Sequence, residues 1–466
     1  MAAPDCNGGN ALRLVIIGGG FTGAVFAINV IRATAQPLDI VVIEPRDEIG
    51  RGIAYSTEDL AHRTNAPCNR MALFKADSLE ATRWCFEKNI LPDAKSDDGQ
   101  GLFYVPRKYY GQFVSDVFRT AVRESSPRVS FRHMCMSASG VARDGEEWIV
   151  TTSDDSKVHA DLVAFCFGHA IPAAPCLIGA DVKQSPKFIP NPWLKDSLTK
   201  IESTDSVLIV GTGLTMADVV MSLHERGHTG NLTAISRRGL TPNEHGVFCS
   251  DIDIFEGKPA PTTALGLLRQ IRRQVRDVGP ALGWQPVVDS LRAKLPTMWR
   301  ELPCHEQRRV LRRLLPFWEV HRFRIAPQVG AVLLQLQQTL QLAIHKAALK
   351  SLVYRQRQYV ASLQKSAGNL ELRTFDAVVL CTGPNKNMRD NPLIASLITD
   401  GTACLDSVGL GLAVDQHSRI VDSWGNPNSS LLAFGPMTRG SFGEMTGAPD
   451  IASHIEMIVK ILFKRD

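Results

Sequence analysis

Short apolar runs that end in glycine recur along the chain, and they predict buried strands alternating with helices. The first run, Arg13-Leu-Val-Ile-Ile17, leads into Gly18-Gly-Gly20-Phe-Thr-Gly23 and then into an apolar, helical segment at 24–32. The run Ser206-Val-Leu-Ile-Val210 leads into Gly211-Thr-Gly213 in the same way. Parallel strands buried on both faces give such continuous apolar runs. The pattern predicts an α/β fold with two Rossmann-like domains.

The first glycine motif has the context that a dinucleotide site requires. Gly18 allows a tight turn, Gly20 lets a pyrophosphate approach the backbone, and Gly23 permits close contact between helix and strand. The next predicted strand, 39–43, ends in Glu44, whose carboxylate can accept hydrogen bonds from ribose hydroxyls. Strand, glycines, helix, strand and acid together predict a dinucleotide site.

The second glycine motif differs in two ways from the first. Met216 replaces the third glycine, and Ser236-Arg237-Arg238 stands where the ribose-binding acid would be. One hydroxyl and two guanidiniums suit a 2′-phosphate, which favours NADPH over NADH. A solvated basic turn would have the same composition, and that alternative stays open.

Three further predicted strands end in glycine. Any one of them alone would fit an ordinary sheet core, so their order along the chain is the more informative observation. Gly168 follows the strand at 161–165, Thr382 and Gly383 follow the strand at 376–380, and Gly435 follows the strand at 430–434. A final helix, 449–459, starts with proline and an acid. Its N-terminus could face a flavin.

Composition narrows the possibilities further. Among 466 residues, 44% are hydrophobic and 21% are charged, and the net charge of 52 − 47 = +5 gives no reason to expect nucleic acid as a partner. The chain opens without a secretory signal, and the longest uncharged apolar stretch, 14–31, contains four glycines, so we expect no membrane association. The ten cysteines form no Cys-x-x-Cys and no zinc spacing. We therefore expect a cytoplasmic protein without a bound metal.

The order of the motifs resembles the two-dinucleotide-binding flavoproteins. Within them the chain is similar to a bacterial FAD/NAD(P)-binding group related to N-hydroxylating flavin monooxygenases, some of which oxidise the amino group of aspartate. Besides both glycine motifs, the resemblance rests on Asp376-x-x-x-Leu380-Cys-Thr-Gly383, His62-x-x-Asn65, Pro106-Arg107-Lys-Tyr-Tyr-Gly111, His321-Arg322-x-Arg324-x-Ala-Pro327 and Gly435-Pro-x-Thr-Arg439-Gly440. Cys381 and Pro384 depart from the alanine and tyrosine of the N-hydroxylating motif.

The resemblance implies FAD and NADPH as cofactors and four segments of chain. These are a flexible tail at 1–10, the first part of the FAD-binding domain at 11–195, the NADPH-binding domain at 196–384 with a helical insertion at about 250–350, and the second part of the FAD-binding domain at 385–466. The implied activity is monooxygenation, with a flavin hydroperoxide N-hydroxylating a small amine or amino acid, acidic substrates included. The alternative is an NAD(P)H-dependent flavin reductase or dehydrogenase that inserts no oxygen. The expected partners are O2 and a small-molecule substrate, and the oligomeric state, a homodimer included, stays open.

The candidate site residues fall into three groups. The cofactor candidates are Gly18, Gly20, Gly23, Glu44, Gly168, Gly211, Gly213, Ser236, Arg237, Arg238, Thr382, Gly383 and Gly435. The catalytic candidates are Asn65, Arg107 and His321, with His62 and His169 as further histidines. Arg273, Arg292 and Arg322, from the arginine-rich insertion, are candidates for binding an acidic substrate, although a solvated basic face would explain them as well.

Overall fold

The structure, a computed structural model, describes residues 11–92, 101–168, 172–246, 252–365, 368–385 and 387–463. The predicted tail at 1–10 and His169 lie outside the described residues. The strands are β1 Leu12–Ile17, β2 Leu38–Ile43, β3 Val129–Met134, β4 Ala138–Asp144, β5 Glu147–Thr152, β6 Lys157–Ala160, β7 Leu162–Phe165, β8 Phe188–Ile189, β9 Val207–Val210, β10 Leu232–Ser236, β11 Leu342–Arg355, β12 Gln358–Lys365, β13 Leu370–Phe375, β14 Ala377–Leu380, β15 Arg419–Val421 and β16 Pro427–Ala433. The helices are α1 Phe21–Ala33, α2 Gly52–Tyr55, α3 Glu80–Glu87, α4 Arg107–Arg123, α5 Ala180–Lys183, α6 Leu214–Glu225, α7 Ala264–Leu282, α8 Gln285–Glu301, α9 Cys304–Arg313, α10 Leu315–Arg322, α11 Pro327–Gln338, α12 Pro392–Thr399, α13 Arg439–Phe442 and α14 Ala448–Leu462.

The first sheet has the order β15-β16-β7-β1-β2-β3. β16, β7, β1, β2 and β3 run parallel, and β15 pairs antiparallel at the edge. Helices α1, α4 and α14 cover one face, and the small sheet β4-β5-β6 covers the other together with α12. Because β16 lies beside β7, the C-terminal part of the chain completes a sheet that the N-terminal part begins.

The second sheet has the order β13-β12-β11-β10-β9-β14-β8. β11, β10, β9, β14 and β8 are parallel neighbours, whereas β12 and β13 form an antiparallel extension. Helices α6 and α11 pack on one face. The two open parallel sheets confirm the predicted α/β class with two Rossmann-like units.

The helical insertion is shorter than predicted. Its helices run from α7 to the end of α11 at Gln338, and β11 starts at Leu342, so the assignment of residues 342–350 to helix is wrong. The local sequence Ala347-Ala-Leu349 has good helix formers. Pairing with β10 on one side and β12 on the other overrides this preference, which tertiary context regularly does.

The insertion packs against the closing part of the first domain. Trp299 of α8 is buried, and its Nε1 donates to the carbonyl of Gly440 in α13 at 2.7 Å.

Among the described residues, no helix combines the length and the apolarity that crossing a bilayer requires.

Candidate functional site

The first glycine motif forms a tight cradle at the carboxyl end of β1. Gly18 has φ +98°, and a Cβ there would lie 2.7 Å from Phe167 Cα. A Cβ on Gly23 would lie 2.0 Å from the carbonyl oxygen of Gly18, so only glycine lets α1 approach β1 this closely. Gly20 caps α1 without a side-chain hydrogen bond, and a Cβ on it would lie 3.3 Å from Gly52 Cα. The backbone at this helix start fits a pyrophosphate.

Glu44 lies at the same sheet edge, directly after β2. Its Oε2 accepts from the backbone N–H of Gly19 at 2.9 Å, and its Oε1 pairs with Arg46 at 2.9 Å. Gly168 follows β7 and Gly435 follows β16, so the chain segments after four neighbouring parallel strands meet here. Ligands of open α/β sheets bind at such carboxyl edges. The residues present therefore fit FAD.

The second glycine motif forms a second cradle, which contains one glycine that the packing of the protein requires and one that it does not require. Gly211 has φ +122°, and a Cβ there would lie 2.0 Å from the carbonyl oxygen of Cys381. Gly213 caps α6 with extended backbone, and a Cβ there would meet nothing within 4 Å. The protein's own packing does not require a glycine at Gly213. A dinucleotide phosphate that approaches the backbone would require it.

The basic turn after β10 lies beside this cradle. Thr212 Oγ1 is 2.8 Å from Ser236 Oγ, which ties the turn to the glycine motif. Arg237 and Arg238 are exposed, and the guanidinium of Arg238 lies 5.2 Å from the ring centre of Phe317. After β14, Thr382 Oγ1 donates to the carbonyl of Ala173.

If Arg237 and Arg238 bind the 2′-phosphate, replacing both with alanine should raise the KM for NADPH about tenfold or more, because two charge-assisted hydrogen bonds would be lost. The KM for NADH should change less than twofold, since NADH lacks that phosphate. Arg357→Ala, at the exposed β11–β12 turn, is the control. An equal increase in the KM for NADPH and the KM for NADH would show that Arg237 and Arg238 do not recognise the 2′-phosphate.

Arg107 and Asn65 lie between the two domains. The guanidinium of Arg107 pairs with Asp218 of α6 at 2.9 Å and donates to Asn65 Oδ1 at 3.1 Å and to the carbonyl of Arg63 at 2.8 Å. The backbone oxygen of Asn65 contacts His245 Nε2 at 2.6 Å. Both candidates thus belong to one buried network, and Asn65 is its partly exposed member.

Two of the three candidate substrate arginines come together and the third does not. Arg292 of α8 and Arg322 of α10 both bind the carboxylate of Asp450 in the first turn of α14, at 3.0 Å and 2.6 Å. Arg273 lies on α7, where it is exposed and pairs with Glu256 at 3.2 Å. An exposed pair of this kind is typical of a solvated helix face.

The arginine pair also encloses a carboxylate that the sequence analysis missed. Glu444 Oε1 lies 2.7 Å from Arg322 Nη2, and only 6% of Glu444 is exposed. Burial raises the pKa of Glu444, although the charge of Arg322 opposes this shift. Arg439 is also close enough for its charge to act on Glu444, and it pairs with Glu319 at 3.2 Å. A single acid in a loop after the Gly435–Gly440 motif gave no sequence signal.

His321 has structural partners. Its Nδ1 is 2.7 Å from the carbonyl oxygen of Phe317, one turn earlier in the helix, and its ring packs edge-on against Trp284 at 4.7 Å. His62 is buried in the domain junction, where its Nε2 lies 2.9 Å from Ser222 Oγ. The contacts of His321 and His62 do not bring either ring next to Glu444.

Two glycine cradles at the carboxyl ends of two parallel sheets are the arrangement of the two-dinucleotide-domain fold. Residues 15–170 match the FAD-NAD(P)-binding family model.

The other comparisons agree on the fold. An uncharacterized protein from Escherichia coli K12, YdhS, is 23% identical over 264 residues, which span 49% of this chain and 46% of that protein. The ornithine N-hydroxylase of Kutzneria sp. 744 matches with a TM-score of 0.63 at 14% identity, covering 97% of this chain and 99% of that one. The FAD-bound cadaverine monooxygenase of Erwinia amylovora matches with a TM-score of 0.63 at 12% identity, covering 97% and 94%. The chain has the fold of these flavin-dependent oxidoreductases.

Proposed function

We propose that this protein is an FAD- and NADPH-dependent monooxygenase that N-hydroxylates a small amino acid. The single observation that carries this proposal is the cluster of Arg292, Arg322, Arg439, Glu319, Glu444 and Asp450, here called the arginine–carboxylate cluster. Two structural relatives are an ornithine N-hydroxylase and a cadaverine monooxygenase, and both ornithine and cadaverine are amines, which supports the reaction type.

The cluster lies on the FAD side of the molecule. Glu444 and Asp450 belong to the segment after β16, whose end, Gly435, lies against Thr22 in the first turn of α1. Helix α14, which carries Asp450, packs directly against α1. A flavin held by the first cradle would therefore lie near the start of α14, where the cluster begins.

The charges of the cluster suit a zwitterion. Three guanidiniums face three carboxylates, so the cluster is close to neutral before any ligand enters. Arg292 is the more exposed of the two arginines on Asp450, and it is available to bind a substrate carboxylate bidentately. Glu444, deeper in the cluster, would accept the substrate ammonium. A second carboxylate on the substrate would add a partner for Arg439.

N-hydroxylation requires an unprotonated amine. Bound FAD would supply oxygen activation after reduction by NADPH, and the chain must supply position, dryness and a proton acceptor. Glu444 is buried, and this burial raises its pKa, so its carboxylate is a better proton acceptor than that of an exposed glutamate. Arg322 holds this carboxylate in place at 2.7 Å.

The cofactor assignments follow from the two cradles. We assign FAD to Gly18, Gly20, Gly23, Glu44, Gly168 and Gly435, and NADPH to Gly211, Gly213, Ser236, Arg237, Arg238, Thr382 and Gly383. Asn65, the partly exposed member of the network between the domains, would contact the bound cofactors, and Arg107 would hold it in place.

The test is product analysis with the FAD-loaded protein. NADPH consumption, hydrogen peroxide and hydroxylated product are measured with aspartate, glutamate, alanine, ornithine and cadaverine. We expect product to match NADPH consumed for one amino acid, and peroxide to dominate with cadaverine, which lacks a carboxylate. Peroxide equal to NADPH with every amine would support the alternative, a flavin reductase without oxygen insertion.

A further inference from the structure

We propose that Asp218 and Ser222 of α6 are positioning residues, which fix the NADPH-binding domain against the FAD-binding domain and so set the rate of flavin reduction. This inference rests on the proposed cofactors, but not on oxygen insertion or on any substrate.

Both residues lie on the helix that begins at the second cradle. Gly213 caps α6, Asp218 follows in its second turn, and Ser222 lies four residues further on the same face. That face meets the FAD-binding domain. Any displacement of α6 when a phosphate binds at Gly213 must therefore act on these two contacts.

Asp218 makes a buried ion pair across the junction. Arg107 Nη1 lies 2.9 Å from this carboxylate, and Arg107 Nη2 donates to it at 3.1 Å. Both side chains are less than 10% exposed. The same Nη2 donates to Asn65 Oδ1 at 3.1 Å. One guanidinium nitrogen thus links the NADPH-binding helix to Asn65. Breaking one side of such a buried pair leaves an uncompensated charge, so the contact holds the domains in one arrangement.

Ser222 makes the second contact, in a directed chain of hydrogen bonds. Its hydroxyl donates to Asp59 Oδ2 at 2.7 Å, and it lies 2.9 Å from His62 Nε2. Because Ser222 donates its hydroxyl hydrogen to Asp59, His62 Nε2 must donate to the Ser222 oxygen. The Nδ1 atom of His62 then accepts from Thr57 Oγ1 at 2.9 Å. This pattern requires a neutral imidazole, and burial lowers the pKa of His62 accordingly.

The segment after β8 of the second sheet packs against the same contacts. Trp193, which follows β8, packs edge-on against the ring of His62 at 5.5 Å and lies 5.5 Å from the Arg107 guanidinium carbon. Tyr104 and Ala61 of the first domain are part of the core around α6. The junction is therefore part of the buried core around α6, and Asp218 and Ser222 are polar residues of α6 that bond across it.

The experiment compares Asp218→Asn and Ser222→Ala with Asp205→Asn. Asp205 is a buried acid of the same domain, paired with Lys187 at 2.8 Å away from the junction, so its loss controls for damage to the domain itself. Flavin reduction by NADPH is followed without oxygen, together with the KM for NADPH, the FAD content and the Tm of each variant.

We expect all three variants to lose thermal stability, but only the junction variants to reduce flavin at least tenfold more slowly with FAD still bound. Ser222→Thr, which keeps the hydroxyl, should restore the wild-type rate. Reduction rates within twofold of wild type in both junction variants would overturn the proposal, as would an equal loss in Asp205→Asn. If Asp218→Asn does not fold, Ser222→Ala and Ser222→Thr decide alone. A wild-type protein that NADPH cannot reduce would instead refute the proposed function.

Discussion

Glu444→Gln is expected to lower the rate of substrate hydroxylation about 100-fold while NADPH still reduces the flavin. The substitution keeps the size of the side chain and removes its capacity to take a proton, and a positioned general base contributes about 10²–10⁴ in rate. Hydroxylated product and hydrogen peroxide are measured per NADPH consumed. Product should fall and peroxide should rise, because the reduced flavin no longer meets an unprotonated amine.

The pH profile of the wild type gives an independent check. Burial raises the pKa of Glu444, so the carboxylate form that accepts a proton appears only as pH rises through that raised value. Hydroxylation should therefore increase with pH in a range above that of an ordinary glutamate, and Glu444→Gln should lack this limb. Glu256→Gln, on the exposed pair with Arg273, is the matched control and should behave as wild type. Normal hydroxylation by Glu444→Gln would remove Glu444 from the mechanism.

Gly23→Ala is expected to yield protein that is much less stable and nearly free of FAD. Its new Cβ would lie 2.0 Å from the carbonyl oxygen of Gly18, which is backbone and cannot rotate away. Helix α1 would have to move off β1, at a cost of about 1–3 kcal/mol for overpacking. Flavin absorbance per protein and the Tm are the measurements.

Gly20→Ala is the informative companion. A Cβ there would lie 3.3 Å from Gly52 Cα and needs only a small shift, so the Tm should stay within a few degrees. The methyl group would nevertheless stand where the pyrophosphate approaches, and FAD should bind about tenfold more weakly, which is about 1.4 kcal/mol. Full FAD content in both variants would show that the flavin does not use this cradle.

The parts of the fold that local patterns encode could be predicted from the sequence. Both glycine cradles and the strands that precede them depend on runs of four consecutive apolar residues, 14–17 and 207–210, and on glycines at fixed offsets. The strand β11 could not be predicted locally, because its Ala-Leu-rich sequence favours helix and only the neighbouring strands decide otherwise.

The composition of the candidate site could not be predicted from the sequence, because it depends on contacts between residues that are far apart in the chain. Arg273, Arg292 and Arg322 look alike in sequence, and only the ion pairs of Arg292 and Arg322 with the distant Asp450 separate them from the exposed Arg273. Asp218 and Ser222 looked like ordinary polar residues on a cofactor helix. Their partners lie 111 and 160 residues away in the chain.

The interleaved first sheet has a consequence for how the protein is made. When β7 leaves the ribosome, its free edge is an apolar strand whose partner, β16, begins only at Pro427. At about 5–20 residues per second, the chain needs roughly 10–50 s to supply that partner. An uncovered strand edge is a template for wrong pairing throughout this interval. A chaperone that covers the edge of β7 during this interval should therefore raise the yield of folded protein.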